Sequence, residues 1–244
     1  MKTIFSSALL VAVISLVNVS GFAQSLSRED LRREIETKRA ELLKLETQFL
    51  APAKEDEDAY ATFLEQPNTG LIRLLPRERY DTEVYRKVKK TMTLRGGGAH
   101  YSFSRRTHEY GAGSDIAWAA EYLSVGFAGA DYGMMTAVED VSLESLTPEH
   151  YFVQLLSEYV PPKSEPEARL EYRRFQSGTT ISGWPFRSRL PARPGITYLL
   201  RSISYGRGDL LVGFRIVRKD TDDSLIILWK LIKKYPVPSL AKNN

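Results

Sequence analysis

The chain has 244 residues, 34 Lys and Arg against 30 Asp and Glu, 43% hydrophobic residues and no cysteine. That apolar content is too high for a disordered chain, and the lack of cysteine excludes disulfide scaffolds, thiolate metal centres and cysteine nucleophiles. The net charge of +4 is unevenly spread, with residues 51–182 carrying −5 and residues 183–244 carrying +8. The two parts can neutralise each other within one fold; otherwise the basic third is where an anionic small molecule or an acidic protein surface would dock.

Residues 1–23 predict a secretory signal. Lys2 precedes an uncharged run over residues 4–17, and Gly21 and Ala23 sit where a signal peptidase requires small residues. Fourteen helical residues span about 21 Å, short of the roughly 30 Å of a bilayer core, so cleavage after Ala23 is favoured over retention as an anchor. No later stretch is apolar enough to span, so the mature chain is expected to lack a transmembrane segment. Export without disulfides points to the periplasm or exterior of a bacterium.

Residues 24–50 predict an amphipathic helix opened by a capping box at Ser27 and Asp30. Leu31, Ile35, Leu42, Leu45 and Phe49 follow a heptad seam in which Lys38 takes the one polar position. This coiled-coil-like pattern could pair copies of the chain; a helix lying on its own domain, or a stalk, is the competing reading. Residues 51–65 read as a charged linker and entry segment, and residues 66–244 as one α+β domain.

That domain is expected to be mainly antiparallel sheet, either open or a partial barrel. Tyr101 and Phe103, then Leu123, Val125 and Phe127, alternate with polar or small residues as half-buried strands do. Two helices follow, one capped at Thr147 with Pro148 and Glu149 in its first turn, the other opened by Ser164 and Glu167. The last third reads as a three-stranded meander over residues 196–205, 209–218 and 224–234. Leu210, Val212, Phe214 and Ile216 share one face of the second strand and Leu211 and Val217 the other, so the strand should be covered on both sides, by the helices.

Two clusters are candidates for chemistry. Residues 95–115 hold three consecutive glycines with His100, His108, Glu109 and Asp115, residue types that serve as metal ligands or acid–base groups of a hydrolase. No phosphate-loop, dinucleotide, zinc-protease or serine-hydrolase motif accompanies them, and nothing implies a cofactor or nucleic acid. A solvated hairpin loop is the favoured alternative.

The second cluster follows from register. A hairpin centred on Arg207 sets Arg201 opposite Gly213, and pairing Lys219 with Ser224 sets Gly213 opposite Lys230. Arg201, Gly213, Arg215 and Lys230 would then form a cationic notch for a carboxylate or phosphate. Structural ion pairing, for example with Glu158, Glu165 or Glu171, is the favoured alternative for cations on a covered face. Arg207, Gly208 and Asp209 spell an adhesion tripeptide that turn chemistry explains sufficiently. The function expected is therefore an exported, non-enzymatic binding or assembly module, with the hydrolase as the second reading.

Overall fold

The structure is a computed structural model describing residues 27–80, 98–111, 113–127 and 129–241. The expected signal at 1–23 and the residues Arg95 to Gly97 lie outside the described residues. Contacts divide the chain into two compact units at the Leu43–Lys44 bond, which falls within helix α1 (Arg28–Leu50).

The capping box forms at the start of α1, where the Ser27 hydroxyl donates to Asp30 Oδ2 at 2.6 Å and accepts from the Asp30 N–H at 3.1 Å. Arg33 with Glu29, Arg32 with Glu36 and Lys38 with Glu41 make ion pairs along the helix. None of its residues is buried, the apolar seam included.

The second unit continues with α2 (Lys54–Ala59), α3 (Ala61–Leu64), β1 (Thr69–Leu74) and α4 (Arg77–Tyr80). The next described elements are β2 (His100–Tyr101), β3 (Ile116–Ala119), β4 (Tyr122–Ser124), β5 (Tyr132–Val138), α5 (Tyr151–Ser157) and α6 (Glu165–Ser177). The short strands β6 (Thr179–Ile181), β7 (Trp184–Phe186) and β8 (Arg189–Pro191) precede the meander β9 (Thr197–Ser204), β10 (Gly208–Lys219) and β11 (Leu225–Lys234). The fold is α+β. The main sheet runs β1-β11-β10-β9-β5, all antiparallel, with a second sheet β2-β3-β4-β8 and the hairpin β6-β7.

Both faces of the meander are buried, as the apolar residues on both parities of β10 require. Leu210, Val212, Phe214 and Ile216 pack with Trp229, Tyr198 and Leu200 against Tyr101, Phe103, Ile116, Trp118 and Leu123 of the second sheet and its flanks. Leu199, Ile203, Leu211 and Leu228 pack against Val153 and Leu156 of α5 and Ala168 and Phe175 of α6. Each buried Val, Leu, Ile or Phe among them contributes roughly 1.5–3 kcal/mol on leaving water. Helices thus cover one face only; the strands of residues 100–125 cover the other.

Local signals resolve differently at two places and as expected at a third. The segment read as a charged linker forms α2, whose Asp56 is buried and receives the Arg218 guanidinium, Nη2 to Oδ2 at 2.7 Å. Residues 147–150 make a separate turn, closed by the His150 N–H on the Thr147 carbonyl, so α5 begins at Tyr151 with His150 as its N-cap. Ser164 caps α6 as expected, its hydroxyl accepting from the Glu167 N–H at 3.4 Å and donating to Glu167 Oε2 at 2.6 Å.

The meander's registers matter for the site. In the β9–β10 hairpin the loop is Tyr205, Gly206 and Arg207, centred on Gly206 at φ 73°, so Ser204 faces Gly208 and Arg201 faces Leu211. Between β10 and β11, Lys219 faces Leu225, and a bulge between Ile216 and Arg218 restores the register that sets Gly213 opposite Lys230. Among the described residues no helix is long and apolar enough to cross a membrane.

Candidate functional site

Arg201 does not sit opposite Gly213. Two residues of register move it opposite Leu211, which leaves it on the helical face because side-chain direction repeats every second residue. There it is almost fully buried, 1% exposed, and its charge is met inside the fold. Nε and Nη2 donate to Oδ1 and Oδ2 of Asp209 at 2.9 and 2.8 Å, while Nη1 donates to the carbonyls of Leu156 and Tyr159, both at 2.6 Å. The guanidinium also lies 3.9 Å from the ring centre of Tyr235 and 5.6 Å from that of Tyr159. The partner is a hairpin aspartate. Of the three glutamates considered, Glu171 accepts from the Tyr159 hydroxyl at 2.7 Å and Glu165 pairs with Arg169.

Of the remaining members of the expected notch, Lys230 and Gly213 are engaged by other contacts. Lys230 donates to the Glu144 carbonyl at 3.0 Å, and burial pushes its ammonium pKa down against the raising effect of the Glu144 charge. The space above Gly213 is filled by Leu143, Leu146 and Ile232. Arg215 is half-buried, facing Thr197 on one side and Leu228 on the other.

Above Arg201 and Asp209 lies a cleft of about 480 Å³, open on one side to solvent. One wall is Tyr159, Val160, Pro161 and Pro162 and the other is Tyr235, Pro236, Val237 and Pro238, with Lys163 and Lys233 among the lining residues. Pro161, Pro162, Pro236 and Pro238 lack a backbone donor and fix φ, so neither wall continues a helix or a strand ladder. The walls are fastened by the Ala241 N–H on the Lys163 carbonyl at 2.7 Å, the Gly206 N–H on the Pro238 carbonyl at 2.8 Å and the Tyr205 hydroxyl on the Pro162 carbonyl at 2.6 Å. Asp209 is held by Arg201 and is 2% exposed, so the adhesion tripeptide presents no carboxylate. The cleft therefore combines an apolar body, a charge-compensated floor and two exposed lysines.

The candidate side chains His100, His108, Glu109 and Asp115 are each engaged separately. His100 is buried with its ring edge-on to Tyr110 and Phe127, at 4.9 and 5.5 Å between centres. His108 donates from Nε2 to the Arg73 carbonyl at 2.7 Å, and burial holds its pKa below the usual imidazole range despite that bond. Glu109 pairs with Arg105. Asp115 accepts from Ser202 Oγ and the Phe103 N–H, both at 2.8 Å, and from Ser102 Oγ at 3.2 Å; burial raises its pKa against these bonds. It ties the Ser102–Thr107 hairpin to β9. Gly98 lies where a Cβ would strike Leu50 at 2.5 Å and Leu75 at 3.0 Å, a packing requirement. Among the described residues no three His, Asp or Glu side chains are placed to hold a metal ion.

Sequence reasoning missed Asp209 as the partner of Arg201 and missed the cleft walls. The signal for the first was available: a three-residue loop centred on Gly206 makes Asp209 the diagonal neighbour of Arg201. The walls carried only a compositional trace, prolines in pairs at 161–162 and 236–238. No protein family, curated protein or solved structure matches this chain.

Proposed function

We propose that this chain is an exported, non-enzymatic binding module that holds an anionic ligand with an apolar body in the cleft above Arg201. The carrying observation is the cleft itself. Its volume of about 480 Å³ falls within the roughly 300–1,000 Å³ of small-molecule sites, and its apolar walls with a few placed polar groups match their usual make-up. The Arg201–Asp209 pair leaves the floor without net charge, so preference for an anion comes from Lys163 and Lys233 at the sides. Export rests on the signal pattern of residues 1–23. A hydrolase built on His100, His108, Glu109 and Asp115 would need those groups to share a reacting centre, whereas each holds a separate contact.

Titration of the chain with naphthalene-1-sulfonate and with uncharged 1-naphthol, followed by protein NMR shifts, tests this reading. The sulfonate should perturb Tyr159 and Tyr235. Lys163→Gln with Lys233→Gln should weaken it roughly fivefold to tenfold while leaving the naphthol and the thermal melt unchanged. Equal sulfonate affinity in the double variant, or shifts confined to other parts of the surface, would reject the proposal.

A further inference from the structure

Among the described residues the seam of α1 stands exposed: Leu31, Ile35, Leu42 and Leu45 are 44%, 51%, 53% and 62% exposed. In heptad terms Leu31, Lys38 and Leu45 occupy d and Ile35 and Leu42 occupy a, which places Glu34 and Glu41 at g and Arg39 and Glu46 at e. We propose that α1 pairs with α1 of a second copy of this chain as a parallel, in-register, two-stranded coiled coil.

The charges on α1 select both the occupant and its direction. In a parallel pair each g residue meets the e residue five positions on in the other helix, so Glu34 meets Arg39 of the second copy, twice over. These two are left over by the helix itself. Arg32, Arg33 and Lys38 are taken by Glu36, Glu29 and Glu41, whereas neither Glu34 nor Arg39 has an ion-pair partner among the described residues. The one like-charged contact between g and e positions, Glu41 with Glu46 of the second copy, is softened because Lys38 already holds Glu41 at 3.1 Å. An antiparallel pair is worse matched. Arg39 would face the other Arg39 with no acid to compensate either, and Arg32 would reach Glu46 only by sharing its bond to Glu36. Lys38 itself faces Lys38 across the seam, a polar layer that weakens the pair and penalises slipped registers.

The natural absence of cysteine makes single cysteines clean reporters of this geometry. In the full chain Leu42→Cys places the two thiols at facing a positions of a parallel pair, and mild oxidation should link it into a dimer. Glu34→Arg, an exposed change that should leave the helix content intact by circular dichroism, should lower the association constant in sedimentation roughly threefold to tenfold. The exchange Glu34→Arg with Arg39→Glu should restore it. A monomeric mass of the unmodified chain at every concentration overturns the proposal. So does faster cross-linking between Ile35→Cys and Leu45→Cys chains than within Leu42→Cys, which is the antiparallel outcome. The cleft plays no part in these readouts, so this proposal and the binding reading fail independently.

Discussion

The two faces of the main sheet each hold a buried core and are built differently. On the face toward the second sheet, aromatic rings close the layer: Trp229 lies against Tyr101 and Phe103, and Tyr198 stacks on Phe214 at 5.1 Å. Two glycines there make room at contact distance. A Cβ on Gly70 would meet the Trp229 ring at 2.6 Å, and one on Gly133 would meet the Arg201 carbonyl at 2.5 Å and the Val125 side chain. The helical face instead carries the Arg201–Asp209 pair, the Tyr132–Tyr159–Glu171 hydrogen-bond chain and the cleft. The difference separates roles. One face supplies close packing, and the other fixes polar groups beneath an open space.

Removing the buried cation breaks that contrast most severely. Arg201→Met leaves the Asp209 carboxylate, 2% exposed, without its partner and takes the donor from two carbonyls. Loss of one member of a buried pair costs about 3–5 kcal/mol, and urea denaturation should read that fall. Adding Asp209→Leu should recover part of it, because the uncompensated charge is then gone while the carbonyls of Leu156 and Tyr159 still lack a donor. A single variant no weaker than a surface substitution would mean the pair is not what holds the floor of the cleft.

Gly133→Ala sharpens the comparison from the other side. The neighbour its methyl would strike includes backbone, which cannot rotate away, so overpacking should cost about 1–3 kcal/mol. The same denaturation experiment measures it, and an unchanged midpoint would show that the packed face is looser than its contacts imply.

How far these faces were legible in the sequence depends on the range of the interaction. The parity of Leu210, Val212, Phe214 and Ile216 against Leu211 and Val217 is local, and it revealed a strand covered twice. The strands at Tyr101 and Leu123 were legible for the same reason, but they end at Tyr101 and Ser124, short of the Phe103, Val125 and Phe127 that continue the alternation. That they, rather than helices, cover the first face was not, because alternation says which residues are buried and not against what. The notch failed on a smaller matter: centring the hairpin on Arg207 instead of Gly206 moves Arg201 by two residues, which preserves its face but changes its neighbours. Pro148 and Glu149 resemble a helix start because the turn over 147–150 uses the same chemistry. The cleft was beyond local reading altogether, since its walls are brought together by the Ala241–Lys163 and Gly206–Pro238 bonds between segments distant in the chain.

Gly213→Ala should have the smallest effect, and its size decides whether the helical face is as rigid as its partner. Gly213 sits in the centre of β10, opposite Leu199 and Lys230, in ordinary strand backbone. A methyl there would meet the terminal carbons of Leu146, Leu143 and Ile232 at 3.0, 3.1 and 3.3 Å. These are the ends of flexible side chains, two of them on the segment between β5 and α5, and a shift of a few tenths of an ångström relieves each. Alanine also loses less chain entropy than glycine on entering a strand, by roughly 0.5–1 kcal/mol, which offsets the crowding. The net change should stay below about 1 kcal/mol, well short of that at Gly133. If the two variants instead fall equally, the segment carrying Leu143 and Leu146 is packed as firmly as the second sheet. The cleft would then remain as the sole yielding part of this face, and ligand entry would have to come from the motion of its proline walls alone.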